Sequence, residues 1–384
     1  MKVIPDICWI KQGIPEEHPT KISIDKQYSS DCSEEENSIC DSDNSSNSSD
    51  EDLQVLETDN LLVFPVVEDS YLFNLQVDVY TGDDIDDFYC HHDHMLDFHP
   101  LCIDNLHSDN GNFVVVGGKD GFLRLWDINI INSAEPQLYL GKSEENDDYS
   151  PTNENATLCV SAHKSDENVV CSGHLDNKLC VWDLNDSEKP KLSVTTKDSV
   201  TCIAWMNKST ILFGCDNSTI ALRDIREKKS KSKTNSQFYN LDGAVESLFC
   251  CFHNTNSIFV CTNKNTMYEM DTRNFNKPTE KLELVHSKLI SSISQFRSSP
   301  HHIITASHDK SVSLWEINGF NKIYSQKLNL GRITSVKESP DNDLIFAVSG
   351  EKFYKFLMGK SNRKVISELK AYLYGITVPP KKRI

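Results

Sequence analysis

The sequence lacks any stretch approaching the roughly 18 consecutive apolar residues that a membrane-crossing helix needs, because polar side chains break its longest apolar runs every few positions. No apolar signal core stands at its start, so a soluble chain without membrane contact is expected. None of its 13 cysteines forms a CxxC pair, which predicts free, mostly buried thiols in a reducing compartment. A G-x-S-x-G elbow, a phosphate-binding glycine loop and paired metal-ligand spacings are all missing, so the common signatures of hydrolases, nucleotide-using enzymes and metalloenzymes are absent. Positive charge is scarce. The 39 Lys and Arg face 57 Asp and Glu, a net charge of −18, which excludes a surface that tracks nucleic-acid phosphates over its whole extent. No catalytic residue, metal or cofactor is expected, and any RNA contact must be local.

Much of the acidity is concentrated. Asp31 to Asp59 holds eleven Asp and Glu and no Lys or Arg, leaving −7 for the remainder. A segment of Ser, Asn, Asp and Glu cannot bury enough apolar surface to offset its ordering entropy, so disorder is predicted for Glu17 to Glu57.

What fills the rest is repetition. GKDGFLRLWDI (Gly118 to Ile128), GHLDNKLCVWDL (Gly173 to Leu184) and SHDKSVSLWEI (Ser307 to Ile317) share one pattern: an Asp, then an apolar alternation into Trp-Asp or Trp-Glu. Weaker copies run from Gly214 to Ile225 and from Cys261 to Thr272, with Arg223 and Met270 in place of the tryptophan. The terminal acids Asp127, Asp183, Asp224, Asp271 and Glu316 lie 56, 41, 47 and 45 residues apart, the spacing of propeller blades. Apolar runs with period two precede each copy, among them VTCIAW (Val200 to Trp205), and read as innermost strands. Two more units, at Asn60 to Tyr80 and Leu344 to Met358, raise the count to seven.

The expected fold is all-β, a seven-bladed WD-repeat β-propeller with a disordered acidic insert near the N-terminus. Residues 1–16 would supply the N-terminal strand of the first blade, 17–57 the insert, 58–378 the propeller and 379–384 a basic tail. Ile4 to Ile10 reads like VTCIAW and is expected to be one inner strand, while Lys364 to Leu369 or Ala371 to Val378 would complete the last blade.

The Asp of each repeat suits a tight turn, because its carboxylate accepts backbone N–H bonds. Asp120, Asp176, Asp216 and Asp309 are the candidates, with Trp126, Trp182 and Trp315 as indole partners; the fullest network would join His286, Ser307, Asp309 and Trp315. Its expected role is to fix blade geometry. CHHDHMLDFH (Cys90 to His99) gathers imidazoles, but adjacent His91 and His92 would point to opposite faces of a strand, so no metal site is expected and the segment reads as a polar connection.

The basic run after Asp224 offers Arg226, Lys228, Lys229, Lys231 and Lys233 for a phosphate or RNA contact, or as a nuclear import signal. Ser33, Ser48 and Ser49 precede acidic clusters, the setting of acid-directed phosphorylation sites. Arg226 and Arg273 follow an Asp as in propellers that serve cullin ubiquitin ligases as substrate receptors, though both units lack the tryptophan of that box.

DICWIKQGIPEEHP (Asp6 to Pro19), DNLLVF (Asp59 to Phe64), the stretch from Asn74 to Leu96 and WDINIINSAEPQLYLG (Trp126 to Gly141) resemble the periodic tryptophan protein 1 family, in the order in which that family carries them. Where some of those proteins have a long lysine-rich insert this chain has KSEENDDYSPTNEN (Lys142 to Asn155), a departure from the family that puts direct RNA contact there in doubt. It implies a nuclear and nucleolar factor in pre-rRNA processing and large-subunit assembly, with ribosome-assembly factors, ribosomal proteins and, through a chromatin link, histones as partners. The expected function is a non-catalytic scaffold, a monomeric ring within a larger complex. A histone-binding propeller would use the same acidic insert against basic tails, and a ligase receptor would use the two arginines.

Overall fold

The computed structural model describes residues 2–11, 55–69, 71–81, 88–106, 111–131, 133–141, 155–226, 237–297, 299–341, 345–351 and 355–357. Most of the acidic insert, the four lysines of the basic run, the three serines, both expected closing segments and the basic tail lie outside them.

Period-two alternation of β-branched and aromatic residues becomes antiparallel strand throughout. Five four-stranded sheets follow one another. They are β6–β9 (Pro100–Leu106, Phe113–Gly118, Leu123–Asp127, Leu138–Leu140), β10–β13 (Thr157–Ala162, Val169–His174, Lys178–Asp183, Leu192–Thr195) and β14–β17 (Val200–Trp205, Thr210–Cys215, Thr219–Asp224, Phe238–Asn240). After these come β18–β21 (Val245–Cys250, Ser257–Thr262, Met267–Asp271, Pro278–Leu282) and β22–β25 (Ile290–Gln295, His302–Ser307, Ser311–Glu316, Asn321–Lys327). A three-stranded sheet, β26–β28 (Ile333–Glu338, Phe346–Gly350, Lys355–Leu357), completes the series. The first strands, β6, β10, β14, β18, β22 and β26, adjoin in succession and form the inner wall.

These six sheets are blades of the expected consecutive plan, and among the described residues the expected count of seven is corrected to six. The N-terminal sheet is built differently. β1 (Lys2–Val3) and β2 (Cys8–Ile10) both pair with β3 (Asn60–Glu68), which continues into β4 (Leu72–Tyr80) and β5 (Phe88–Leu96). Of the single inner strand expected over Ile4 to Ile10 only Cys8–Ile10 is strand, and a second short strand, Lys2–Val3, precedes that range. The chain leaves the sheet between them because Ile4 and Ile7, fully buried, wedge into a core with Trp9, Leu62, Phe64, Val66, Tyr80 and Ala347 of the last blade. Strand β2 lies between β26 and β6, so this irregular sheet fills the remaining gap in the wall. Ile4 N–H donates to Gly350 O at 3.2 Å and the Trp9 indole to Lys337 O at 3.2 Å, which fastens the N-terminal segment to the final blade. Val55, inside the stretch expected to be disordered, is buried in the core shared by the N-terminal sheet and β6–β8.

Each of the six blades carries a β-bulge near the start of its inner strand, leaving Leu101, Leu158, Thr201, Glu246, Ser291 and Thr334 without a register partner. The bulge turns two hydroxyls to the neighbouring inner strand, Thr201 donating to Val245 O at 2.5 Å and Ser291 to Ile333 O at 2.7 Å, and a third, Thr334, to Ile4 O between β1 and β2 at 2.6 Å. Opposite the bulges the second strands carry small residues, since a Cβ on Gly173 would come within 2.5 Å of Val200 Cγ1 and one on Gly214 within 2.5 Å of Val245 Cγ1. Blade-to-blade packing thus rests on close backbone approach as well as on apolar burial, which is worth about 1.5–3 kcal/mol for each fully buried large aliphatic or Phe side chain.

Candidate functional site

The turn between the second and third strands of each of the five four-stranded blades contains one residue in the left-handed region: Gly121, Asn177, Ser218, Asn265 or Lys310. In three of them the residue before it caps the turn. Asp309 Oδ1 accepts Ser311 N–H at 2.9 Å and Asp120 Oδ1 accepts Phe122 N–H at 3.3 Å. By this register the capping residue of the β14–β17 blade is Asn217, whose Oδ1 accepts Thr219 N–H at 3.2 Å, and not the expected Asp216, which precedes it. Lys264 occupies the place in the next blade, and there Asp242 supplies the carboxylate from the preceding loop, accepting from Thr262 and Thr266 hydroxyls at 3.2 and 3.0 Å.

The expected network around Trp315 exists with one member changed. Trp315 Nε1–H donates to Thr305 Oγ1 at 2.9 Å, the Thr305 hydroxyl reaches His286 Nε2 at 2.8 Å, and His286 Nδ1 stands 3.2 Å from Asp309 Oδ2. Thr305, two residues earlier on β23, replaces Ser307 because alternate residues share a face and only Thr305 lies beside the indole in the register Ile303↔Trp315. Ser307 instead donates to Leu289 O at 2.8 Å and accepts Asp309 N–H at 3.1 Å. Burial holds the His286 imidazole below its ordinary range against the pull of Asp309. Burial raises the Asp309 carboxyl, but the Ser311 hydroxyl, the Ser287 and Ser311 N–H groups and His286 outweigh it and hold the group at about 2.

The β10–β13 blade repeats the chain with other residues. Trp182 donates to Ser172 Oγ at 2.8 Å, Ser172 meets His174 Nε2 at 2.8 Å, and His174 Nδ1 ends on Asn155 O at 3.3 Å. Asp176 stays outside it and pairs with Lys178. In the β6–β9 blade Asp120 pairs with Arg124, which stacks over Phe98 at 3.6 Å, and Trp126 Nε1 has no hydrogen-bond partner among the described residues.

The His94 ring lies 5.3 Å from that indole. Strand β5 contains a bulge, Val77 pairing with His92 and Asp78 with Cys90, so His91 is the extra residue and the expected opposite orientation of His91 and His92 is corrected. His91 Nδ1 and His92 Nδ1 are 2.6 Å apart, His92 Nε2 and His94 Nε2 3.2 Å, and His94 Nδ1 is 3.4 Å from Ser133 O. The segment expected to be a polar connection is thus a strand whose imidazoles touch in a row. Burial and the neighbouring imidazoles push His92 down to about 3, and burial lowers His94. No group of three or more metal-ligating side chains with suitable geometry occurs among the described residues.

Arg226 of the basic run forms a two-pronged pair with Asp224, and Arg273 repeats it with Asp271 in the next blade, Nη2 to Oδ2 being 2.6 Å in both. Both guanidiniums therefore serve their own strand ends. A cavity of about 480 Å³ separates these two blades, lined by Met206, Asn207, Arg223, Gln237 and Thr272 among others.

A model of the WD domain, G-beta repeat, matches residues 88–127 and 278–316. Among relatives, the periodic tryptophan protein 1 homolog of Drosophila melanogaster is 25% identical over 79% of this chain and 67% of its own length. Periodic tryptophan protein 1 of Saccharomyces cerevisiae is 25% identical over 86% of this chain and 68% of its length. The chain is thus similar to periodic tryptophan protein 1 proteins over most of its length. An uncharacterized WD repeat-containing protein of Schizosaccharomyces pombe is 30% identical over 79% of this chain and 61% of its length. The chain thus spans about two thirds of these curated relatives, with shares of 67%, 68% and 61%. The WD40 beta-propeller domain of Doa1 shares the fold, with a TM-score of 0.57 at 15% identity over 77% of this chain and 92% of that one. Each matched repeat starts on an outer strand, β5 or β21, and ends on the third strand of the following blade, so in this chain the sequence repeat ties two blades together.

Proposed function

We propose that the chain is a non-catalytic scaffold in ribosome biogenesis, acting in pre-rRNA processing and large-subunit assembly in the nucleus and nucleolus. One observation carries this: the similarity of most of the chain to periodic tryptophan protein 1 proteins, a resemblance that brings that setting with it. The blade networks fit the reading, because their buried hydroxyls, imidazoles and carboxylates are spent on each other and fix geometry. In this proposal the ring presents its rims to ribosome-assembly factors and ribosomal proteins. Lys228, Lys229, Lys231 and Lys233 serve as an import signal or a local phosphate contact, and Ser33, Ser48 and Ser49 are phosphorylated.

Gentle affinity purification of the tagged chain, with the associated RNA sequenced and the proteins identified, tests the proposal. Precursor ribosomal RNA with large-subunit proteins is expected. Histones without that RNA would establish the chromatin reading instead, and a cullin adaptor the ligase reading.

A further inference from the structure

On the face of the ring where the inner strands end, three segments from different blades meet. Phe252, just after β18, is 38% exposed, with its N–H held by Gln295 Oε1 at 2.9 Å and its ring against the edge of Phe249, centroids 4.9 Å apart. The Arg297 guanidinium, after β22, lies 5.0 Å from the Phe252 ring centre, and the Lys164 ammonium, after β10, lies 5.5 Å from it. Both cations are exposed.

Their charge is uncommitted. Arg124, Arg226, Arg273 and Arg332 each hold a carboxylate, whereas neither Arg297 nor Lys164 has an ion-pair partner among the described residues. In a chain of net charge −18, two unpaired cations converging on a fixed, part-open aromatic ring form a local site of opposite character to the whole. Single-stranded nucleic acid has the matching pattern, a flat base to stack between negative phosphates, and such strands are held by aromatic platforms flanked by Lys and Arg. An acidic peptide would satisfy the cations and leave the ring without a stacking partner.

We propose that Phe252, Lys164 and Arg297 form a single-stranded RNA site in which a base stacks on Phe252 and the adjoining phosphates meet Lys164 and Arg297. The site deepens the ribosome-assembly reading and takes its biological setting from it.

Fluorescence anisotropy of the full chain with a labelled oligouridylate of about twelve nucleotides, titrated between about 50 and 200 mM salt, tests the site. Phe252→Ala is expected to weaken binding about ten- to a hundredfold, and Phe252→Trp to retain it. Lys164→Gln and Arg297→Gln should each reduce the slope of log affinity against log salt by about 0.7, the value for one phosphate contact to a single strand. An unchanged melting temperature keeps these variants interpretable, and the two surface Gln variants carry the test if Phe252→Ala unfolds. The inference is overturned if the parent chain does not bind the oligonucleotide at low salt, or if the variants bind as the parent does. Displacement by oligoglutamate with no effect of Phe252→Ala also overturns it, in favour of an acidic-peptide site. If the variants still purify with precursor ribosomal RNA while oligonucleotide binding is unchanged, this site falls and the assembly reading stands.

Discussion

The hydroxyls of Ser172 and Thr305 hold the same position in two blades: each accepts the indole N–H of the tryptophan ten residues later, at 2.8 and 2.9 Å, and passes the chain to an imidazole at 2.8 Å. The imidazoles come from different places. His286 precedes the inner strand of its blade, while His174 ends the second strand of its own.

Removing the shared hydroxyl should cost stability out of proportion to its size. Thr305→Val leaves a buried indole N–H and an imidazole nitrogen unpaired, so unfolding free energy should fall by about 1–3 kcal/mol for each group left unsatisfied. Thr305→Ser should keep most of it, and Ser307→Ala should cost about 1 kcal/mol, the worth of an ordinary hydrogen bond. Urea denaturation of the three variants checks the order.

Acid should unfold the chain through its histidines before its carboxylates. His92, at about 3, and His94, His174 and His286, each lowered mainly by burial, bind protons more readily unfolded than folded. Their contribution is complete above an unfolded value of about 6.5 and is lost as the pH falls through that value towards the folded ones. Asp309, held at about 2, contributes above its ordinary range near 3.8 and loses that only as the pH approaches 2. The urea midpoint should therefore decline between about pH 6.5 and 4, and His92→Gln should flatten the decline.

Close packing between blades predicts a coupled pair. Gly214→Ala drives a methyl group into Val245 and should destabilise by about 1–3 kcal/mol, as overpacking does. Val245→Ala made with it should recover part of that loss, so a double-mutant cycle on thermal or urea unfolding should return a coupling of at least about 0.5 kcal/mol.

The N-terminal segment should be needed for the closed ring. Trp9→Ala removes the indole bond to Lys337 O and empties a site packed by Tyr80 and Phe88, with an expected loss of about 3–5 kcal/mol. Trp9→Phe should cost far less, and limited proteolysis near β26 reads the difference.

Strands and blades were legible because burial on one face imposes a period of two, visible in VTCIAW and its counterparts. What the residues concealed was register. Asp216 and Asn217 are adjacent, and only the left-handed backbone at Ser218 shows which one caps the turn. Ser307 and Thr305 are both hydroxyls on one strand, and only the pairing with β24 sets Thr305 beside Trp315. A bulge at His91 reversed an orientation that strict alternation predicts. The Phe252 cluster left no sequence signal, since Lys164, Phe252 and Arg297 are brought together by three blades and stand far apart along the chain.

The most direct test of the scaffold assignment is sedimentation of the tagged chain from a nuclear extract through a sucrose gradient, with RNA followed across the fractions. The account predicts comigration with precursors of the large ribosomal subunit, lost when ribosomal RNA synthesis is blocked. Migration only as a free monomer, or with chromatin after ribosomal precursors have been removed, would contradict it.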